Sequence, residues 1–226
     1  MNEIIRPGRL APAADVRRDL FDEQNEQLIL SKQKVDIVFI GDSITEGWNV
    51  SNAFASIGFT VNRGISGDVI DIIEKRFAAD VLQLNPEVVV IHGGVNNTFP
   101  FFSTAENELP QAIDHAVQVF TESYDKIFRA CKAAGQKVIA CAITPLSEQP
   151  SIGALARKQT VVRMNAVLQE LCCQYHVPYA DYHTSMAEYD GMTAQPCITY
   201  DGLHPNDSGY ARMDRVIRPI LMAFFG

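Results

Sequence analysis

The chain has 226 residues, 47% of them hydrophobic and 20% charged, with a formal net charge of -8. That length suits a single α/β core, and the apolar share excludes a disordered chain. An acidic balance without a basic patch argues against general affinity for nucleic acid or anionic membrane.

In chain order, residues 1–34 carry a weak helical pattern (Val16, Leu20, Phe21, Leu28) and read as a helical arm packed on the domain proper, 35–226. They contain no apolar leader, and nowhere do about 18 uncharged apolar residues run together, so a cytoplasmic location is expected. Five apolar runs follow: "VDIVFIG" (35–41), "FTVN" (59–62), "EVVVIHGG" (87–94), "KVIACAI" (137–143) and "VPYADY" (177–182). The longer ones are continuously apolar rather than alternating, which suits parallel strands covered on both faces.

Helical stripes lie between and after them. One covers Asp114 to Ala134 and stops at Gly135, a second runs from Ala156 to Tyr175, and a third passes through Tyr210, Met213, Ile217 and Leu221. Alternation of strand and helix implies a parallel sheet with helices on both faces, whose ligands bind beyond the carboxyl ends of the strands. The five cysteines, Cys131, Cys141, Cys172, Cys173 and Cys197, form no paired framework and read as buried thiols of a reducing compartment. Cys172, Cys173 and His176 have no second ligand pair at a zinc-type spacing, so they read as core residues at a helix end.

Three strand ends deliver polar groups to one edge: Ser43 in "GDSIT", Gly64 in "NRGISGD" and Asn96 in "HGGVNN". A serine hydroxyl needs a base before it attacks anything. His204 in "DGLHP", three residues after Asp201, is the candidate, with Asp201 fixing its tautomer. The oxyanion of an acyl-transfer intermediate needs preorganised donors, for which the Ser43 amide, the Gly64 amide and the Asn96 side chain are candidates. Taken singly, each residue has a duller explanation: Ser43 as a helix cap, Gly64 and Gly67 as turn glycines, Asn96 and Asn97 as Asx-turn residues, His204 as a surface residue. Their ordered occurrence together is what points to catalysis.

"GDSIT", "NRGISGD", "GGVNN" and "DGLHP", in this order from Gly41 to Pro205, resemble the four blocks of the SGNH hydrolase superfamily, the GDSL esterases and lipases. "GDSITEGW" and the Asn96–Asn97 pair are closest in style to its platelet-activating-factor acetylhydrolase-like branch. The resemblance implies a flavodoxin-like three-layer α/β/α sandwich on a parallel five-stranded sheet. It also implies ester hydrolysis without metal or organic cofactor, with Ser43, Asp201 and His204 catalytic and Ser43, Gly64 and Asn96 forming the oxyanion hole. An α/β-hydrolase is disfavoured because "IGDSI" lacks the second glycine of G-x-S-x-G.

The expected partner is a small-molecule ester with a short acyl or acetyl group, with no nucleic acid or membrane partner and with homo-oligomerisation left open. Asp42, Asn97, Phe99, Phe101 and Phe102 are candidate substrate-binding residues, a phenylalanine serving as the wall of the acyl pocket. Asp42 also reads as a turn-fixing residue. Two rivals stand beside the esterase: a non-catalytic sugar- or ester-binding module on the same fold, and a flavodoxin-like nucleotide or flavin binder. The first would be marked by loss of Ser43, Asp201 or His204. The second is weakened because no phosphate-cradling glycine loop follows any strand.

Overall fold

The apolar runs become the five strands of one parallel sheet: β1 (Ile37–Gly41), β2 (Thr60–Gly64), β3 (Val88–His92), β4 (Val138–Cys141) and β5 (Tyr179–Ala180). The computed structural model describes residues 4–10 and 12–226. Strand order is β2-β1-β3-β4-β5, the doubly wound arrangement whose topological switch lies between β1 and β3. In register, Gly41 at the end of β1 stands opposite Gly64 of β2 and His92 of β3.

Successive strand side chains point to opposite faces, and both faces are covered, so the runs are apolar throughout. Val38, Ile40, Val89 and Ile91 face one core with Phe120, Tyr124, Met164 and Leu168. Those partners come from α5 (Leu109–Ala134) and α6 (Ile152–Tyr175). Ile37, Phe39, Val88 and Val90 face the other, with Trp48, Phe54, Met213, Ile217 and Leu221. There the last three belong to α8 (Asp207–Phe225). The result is the three-layer sandwich.

The helices are longer than their apolar stripes. Pro110 sits in the first turn of α5, and Gly135 ends it in the left-handed region. The Ser151 side chain caps α6, and Asn206 caps α8 by accepting from Ser208 N and Gly209 N. Cys131, Cys141 and Cys172 are buried as expected, whereas Cys173 and Cys197 are exposed.

The N-terminal helix α1 (Pro12–Leu30) differs from its expected apolar stripe. Val16 is 76% and Leu20 42% exposed, and Phe21 is buried. Polar groups dock it instead: Arg18 pairs with Asp80 and Asp22, and Asn25 Oδ1 accepts from Arg63 Nη2 at 2.7 Å. Arg63 also lies over the Phe21 ring, 4.7 Å from its centroid. Asp80 is the last residue of α4 (Ile70–Asp80), so this network joins the arm to α4 and to the edge strand β2. Among the described residues no helix is long and apolar enough to cross a membrane.

Candidate active site

Ser43 is the first residue of α2 (Ser43–Glu46), immediately beyond β1. Asp42 caps that helix, its Oδ1 accepting from Ile44 N at 3.0 Å, and its side chain is fully buried. The expectation that Asp42 touches substrate is therefore not met; it fixes the turn. Burial pushes its carboxyl up to about 7, against the pull of the Ile44 N–H.

From the last loop, His204 Nε2 reaches Ser43 Oγ at 3.0 Å, and His204 Nδ1 lies 2.6 Å from Asp201 Oδ2. With Nδ1–H on the carboxylate, Nε2 is the acceptor for the serine hydroxyl. The other Asp201 oxygen accepts from Leu203 N at 3.0 Å and His204 N at 2.8 Å. Partial burial pushes the Asp201 carboxyl up, but these hydrogen bonds outweigh it and the net shift is downward. Three residues 158 or more positions apart at their ends thus form one unbroken line, Ser43 to His204 to Asp201.

Asn96 begins the loop after β3, and its Nδ2 donates to Asp68 O at 3.0 Å. Its other amide hydrogen has no partner among the described residues. Asn97 has a structural part: its Oδ1 accepts from Ile70 N at 3.0 Å at the start of α4.

Gly64 departs from expectation. Its N–H is donated to Asn62 Oδ1 at 2.8 Å, and a Cβ on it would lie 2.1 Å from Glu46 N. The close approach that requires glycine is to α2, not to a ligand. Gly67, in the same block, is exposed at φ +84, and its N–H makes no hydrogen bond among the described residues.

The phenylalanines separate. Phe101 is in the core, while Phe99 and Phe102 are exposed, edge to face at 5.6 Å, with the Arg157 guanidinium over both rings. None of the three lines the cavity of about 450 Å³ that opens on Ser43. Phe101 instead lines a separate cavity of about 320 Å³ beside Asn96 and Asn97.

Sequence reading missed Arg76. This fully buried guanidinium donates to Gly41 O at 2.8 Å and Arg63 O at 2.9 Å, the carbonyls at the ends of β1 and β2. It also pairs with Asp68 and Asp80, both at 2.7 Å. One side chain so ties the Ser43 turn to the loop carrying Gly67 and Asp68. The signal was an arginine on the Ile70–Ile73–Phe77 stripe of a helix, four residues before an aspartate.

The model of the GDSL-like lipase/acylhydrolase family matches residues 39–212. An acylhydrolase candidate from Bacteroides fragilis, of known structure, is 28% identical with a TM-score of 0.75 over 96% of this chain and 100% of that one. A GDSL-like lipase from Bacteroides thetaiotaomicron is 26% identical with a TM-score of 0.67, over 88% and 97% of the two chains. An acetylxylan esterase from Xylanibacter ruminicola is 26% identical over 210 residues, 81% of this chain. The present chain spans 42% of the length of that curated relative. The family match runs from β1 into α8 and so encloses Ser43, Asn96, Asp201 and His204: the chain belongs to the GDSL-like lipase/acylhydrolase family.

Proposed function

We propose that the chain hydrolyses esters of small acyl groups, acetylated carbohydrate first among them, through an acyl-enzyme on Ser43. The observation that carries this reading is the continuous hydrogen-bonded line from Ser43 Oγ through the His204 ring to Asp201. His204 Nε2 takes the hydroxyl proton as Ser43 Oγ attacks the ester carbonyl. The tetrahedral oxyanion is held by the N–H groups of Ser43 and Gly67 and by the free amide hydrogen of Asn96. His204 then protonates the leaving alcohol, and a water molecule, deprotonated by the same nitrogen, releases the acid. Asp201 keeps Nδ1 protonated throughout and offsets the charge of the imidazolium. Likeness to an acetylxylan esterase supports an acetylated sugar as substrate.

The test is turnover of nitrophenyl esters of increasing acyl length by the parent and by Ser43→Ala. The parent should favour acetate, and the variant should lose about a million-fold in kcat, as removal of a serine nucleophile does elsewhere. A folded variant with near-parental rates would overturn Ser43 as nucleophile. A parent inert toward every ester would leave the non-catalytic binding module.

A further inference from the structure

Ser43 and His204 line a cavity of about 450 Å³, within the range of small-molecule sites, roughly 300–1,000 Å³. Neither Asn96 nor residues 64–68 line it, so it lies away from the Asn96 and Gly67 donors. That places it where chemistry requires the alcohol half of an ester. The leaving oxygen must come within reach of His204 Nε2 while the carbonyl oxygen points to Asn96 and Gly67.

The walls have a definite chemistry. The Tyr200 ring is 74% exposed, and its hydroxyl has no hydrogen-bond partner among the described residues. Among the described residues the side-chain amide of Asn52, on α3 (Val50–Ala53), and the carboxylate of Asp207, in the first turn of α8, have no hydrogen-bond partner. Asn49 uses its carbonyl oxygen to cap α3 and keeps its NH2 free. An aromatic face beside an amide pair and a carboxylate complements a ring with C–H faces and hydroxyl edges. A fatty alcohol would leave those polar groups unpaired against hydrocarbon, which costs binding. Of the three rings that line the cavity, Trp48 is buried, Tyr210 is half-buried and Tyr200 alone is exposed, so a quaternary ammonium would find one open face rather than an aromatic cage.

We propose that this cavity binds the alcohol half of the substrate as a pyranose, stacked on Tyr200 and hydrogen-bonded by Asn52 and Asp207. The proposal rests on the ester-hydrolase reading above and adds to it the site that holds the sugar and the residues that recognise it. Trp48, the chain's single tryptophan, also lines the cavity and stacks on Tyr210 with centroids 5.5 Å apart, so it is a built-in reporter.

The experiment compares kcat/KM for an acetylated methyl xyloside with that for ethyl acetate, which has no ring to stack. In Tyr200→Ala and in Asn52→Ala the ratio of the two should fall about ten-fold, chiefly through KM for the sugar ester, the size of one lost contact. Tyr200→Phe should keep the ratio. Separately, xylotriose titrated into Ser43→Ala should change Trp48 fluorescence saturably, and Tyr200→Ala added to that variant should abolish the change. An unaltered ratio in both alanine variants overturns the proposal, as does a preference of the parent for acetylcholine over the sugar ester. A parent that hydrolyses neither ester overturns the hydrolase reading alone, and the fluorescence titration then decides the subsite.

Discussion

Ser43 and His204 meet at 3.0 Å, yet the chain holds them by different means. Ser43 sits on a turn built from buried groups: Asp42 beneath it, the Gly41 carbonyl on Arg76, and Arg76 in turn on Asp68 and Asp80. His204 sits on a surface loop with side chains of the base pair 38% and 54% exposed. That loop is held by bonds within itself, from Leu203 N and His204 N to Asp201 and from Tyr200 N to His204 O, and by Ser147 N on Gly202 O. The proposed nucleophile is thus fixed by the fold, and the proposed base by a local turn. Damage to the first should register as instability and damage to the second as lost rate.

After loss of Ser43 itself, the largest expected effect tests the base side. Asp201→Asn should lower kcat by about ten-thousand-fold, because the amide no longer holds Nδ1 protonated toward it, while the exposed site changes stability little. Measured together, ester turnover and urea unfolding decide it. A variant destabilised as strongly as a core mutant would break the contrast.

Arg76→Ala tests the other side. It leaves Asp68 buried without its guanidinium and strips Asp80 of one of two, and should cost about 3–5 kcal/mol in unfolding free energy, the range for breaking a buried ion pair. Retained parental stability would show that the turn does not depend on this network.

Asn96→Ala comes next in size. Removing one oxyanion donor should reduce kcat about a hundred- to a thousand-fold with a smaller change in KM. An effect confined to KM would move Asn96 from the transition state to substrate binding.

The same contrast explains what could be read before the structure. The four blocks were legible because each is a few residues at a strand end or in the last loop, and the fold brings Ser43, His204 and Asp201 of the first and last into one hydrogen-bonded line. The stripes of α5 and α8 were legible because one apolar face meets one core: Met213, Ile217 and Leu221 are buried at helical spacing. α1 was misread in detail because it docks by charge, through Arg18, Asn25 and the Arg63–Phe21 pair, and apolar periodicity carries no trace of that. Gly64 and Gly67 could not be told apart in "NRGISGD". Which N–H is free depends on the Asn62 side chain folding back and on the left-handed turn at Gly67, both products of packing against α2. The "FPFF" stretch hid the same ambiguity: one ring enters the core and two rest on Arg157, three-dimensional neighbours 55 or more residues away.

The smallest effect concerns pH and isolates one buried group on the nucleophile side. Burial holds the Asp42 carboxyl at about 7, against an ordinary 3.8. Between those values the folded chain keeps a proton that the unfolded chain has lost, so this group's contribution to stability falls as pH rises through the window. It is fully present below about 4 and exhausted above about 7. His92, also buried, works in the opposite sense: desolvation pushes it down to about 4, so folded protein refuses a proton that the unfolded chain takes up as pH falls below the ordinary 6.5. The two slopes oppose each other in the parent, and a pH titration of the parent alone would mix them. Asp42→Asn keeps the oxygen that accepts from Ile44 N and has no carboxyl to titrate, while the His92 slope stays and cancels in the difference. The stability of Asp42→Asn relative to the parent should therefore climb from about pH 4 to about pH 7, by no more than a few kcal/mol, and then level off. Urea midpoints of the two proteins at successive pH values measure this difference. A difference that stays constant from acid to neutral pH would mean that Asp42 titrates like an exposed carboxylate and that the turn under Ser43 is open to water.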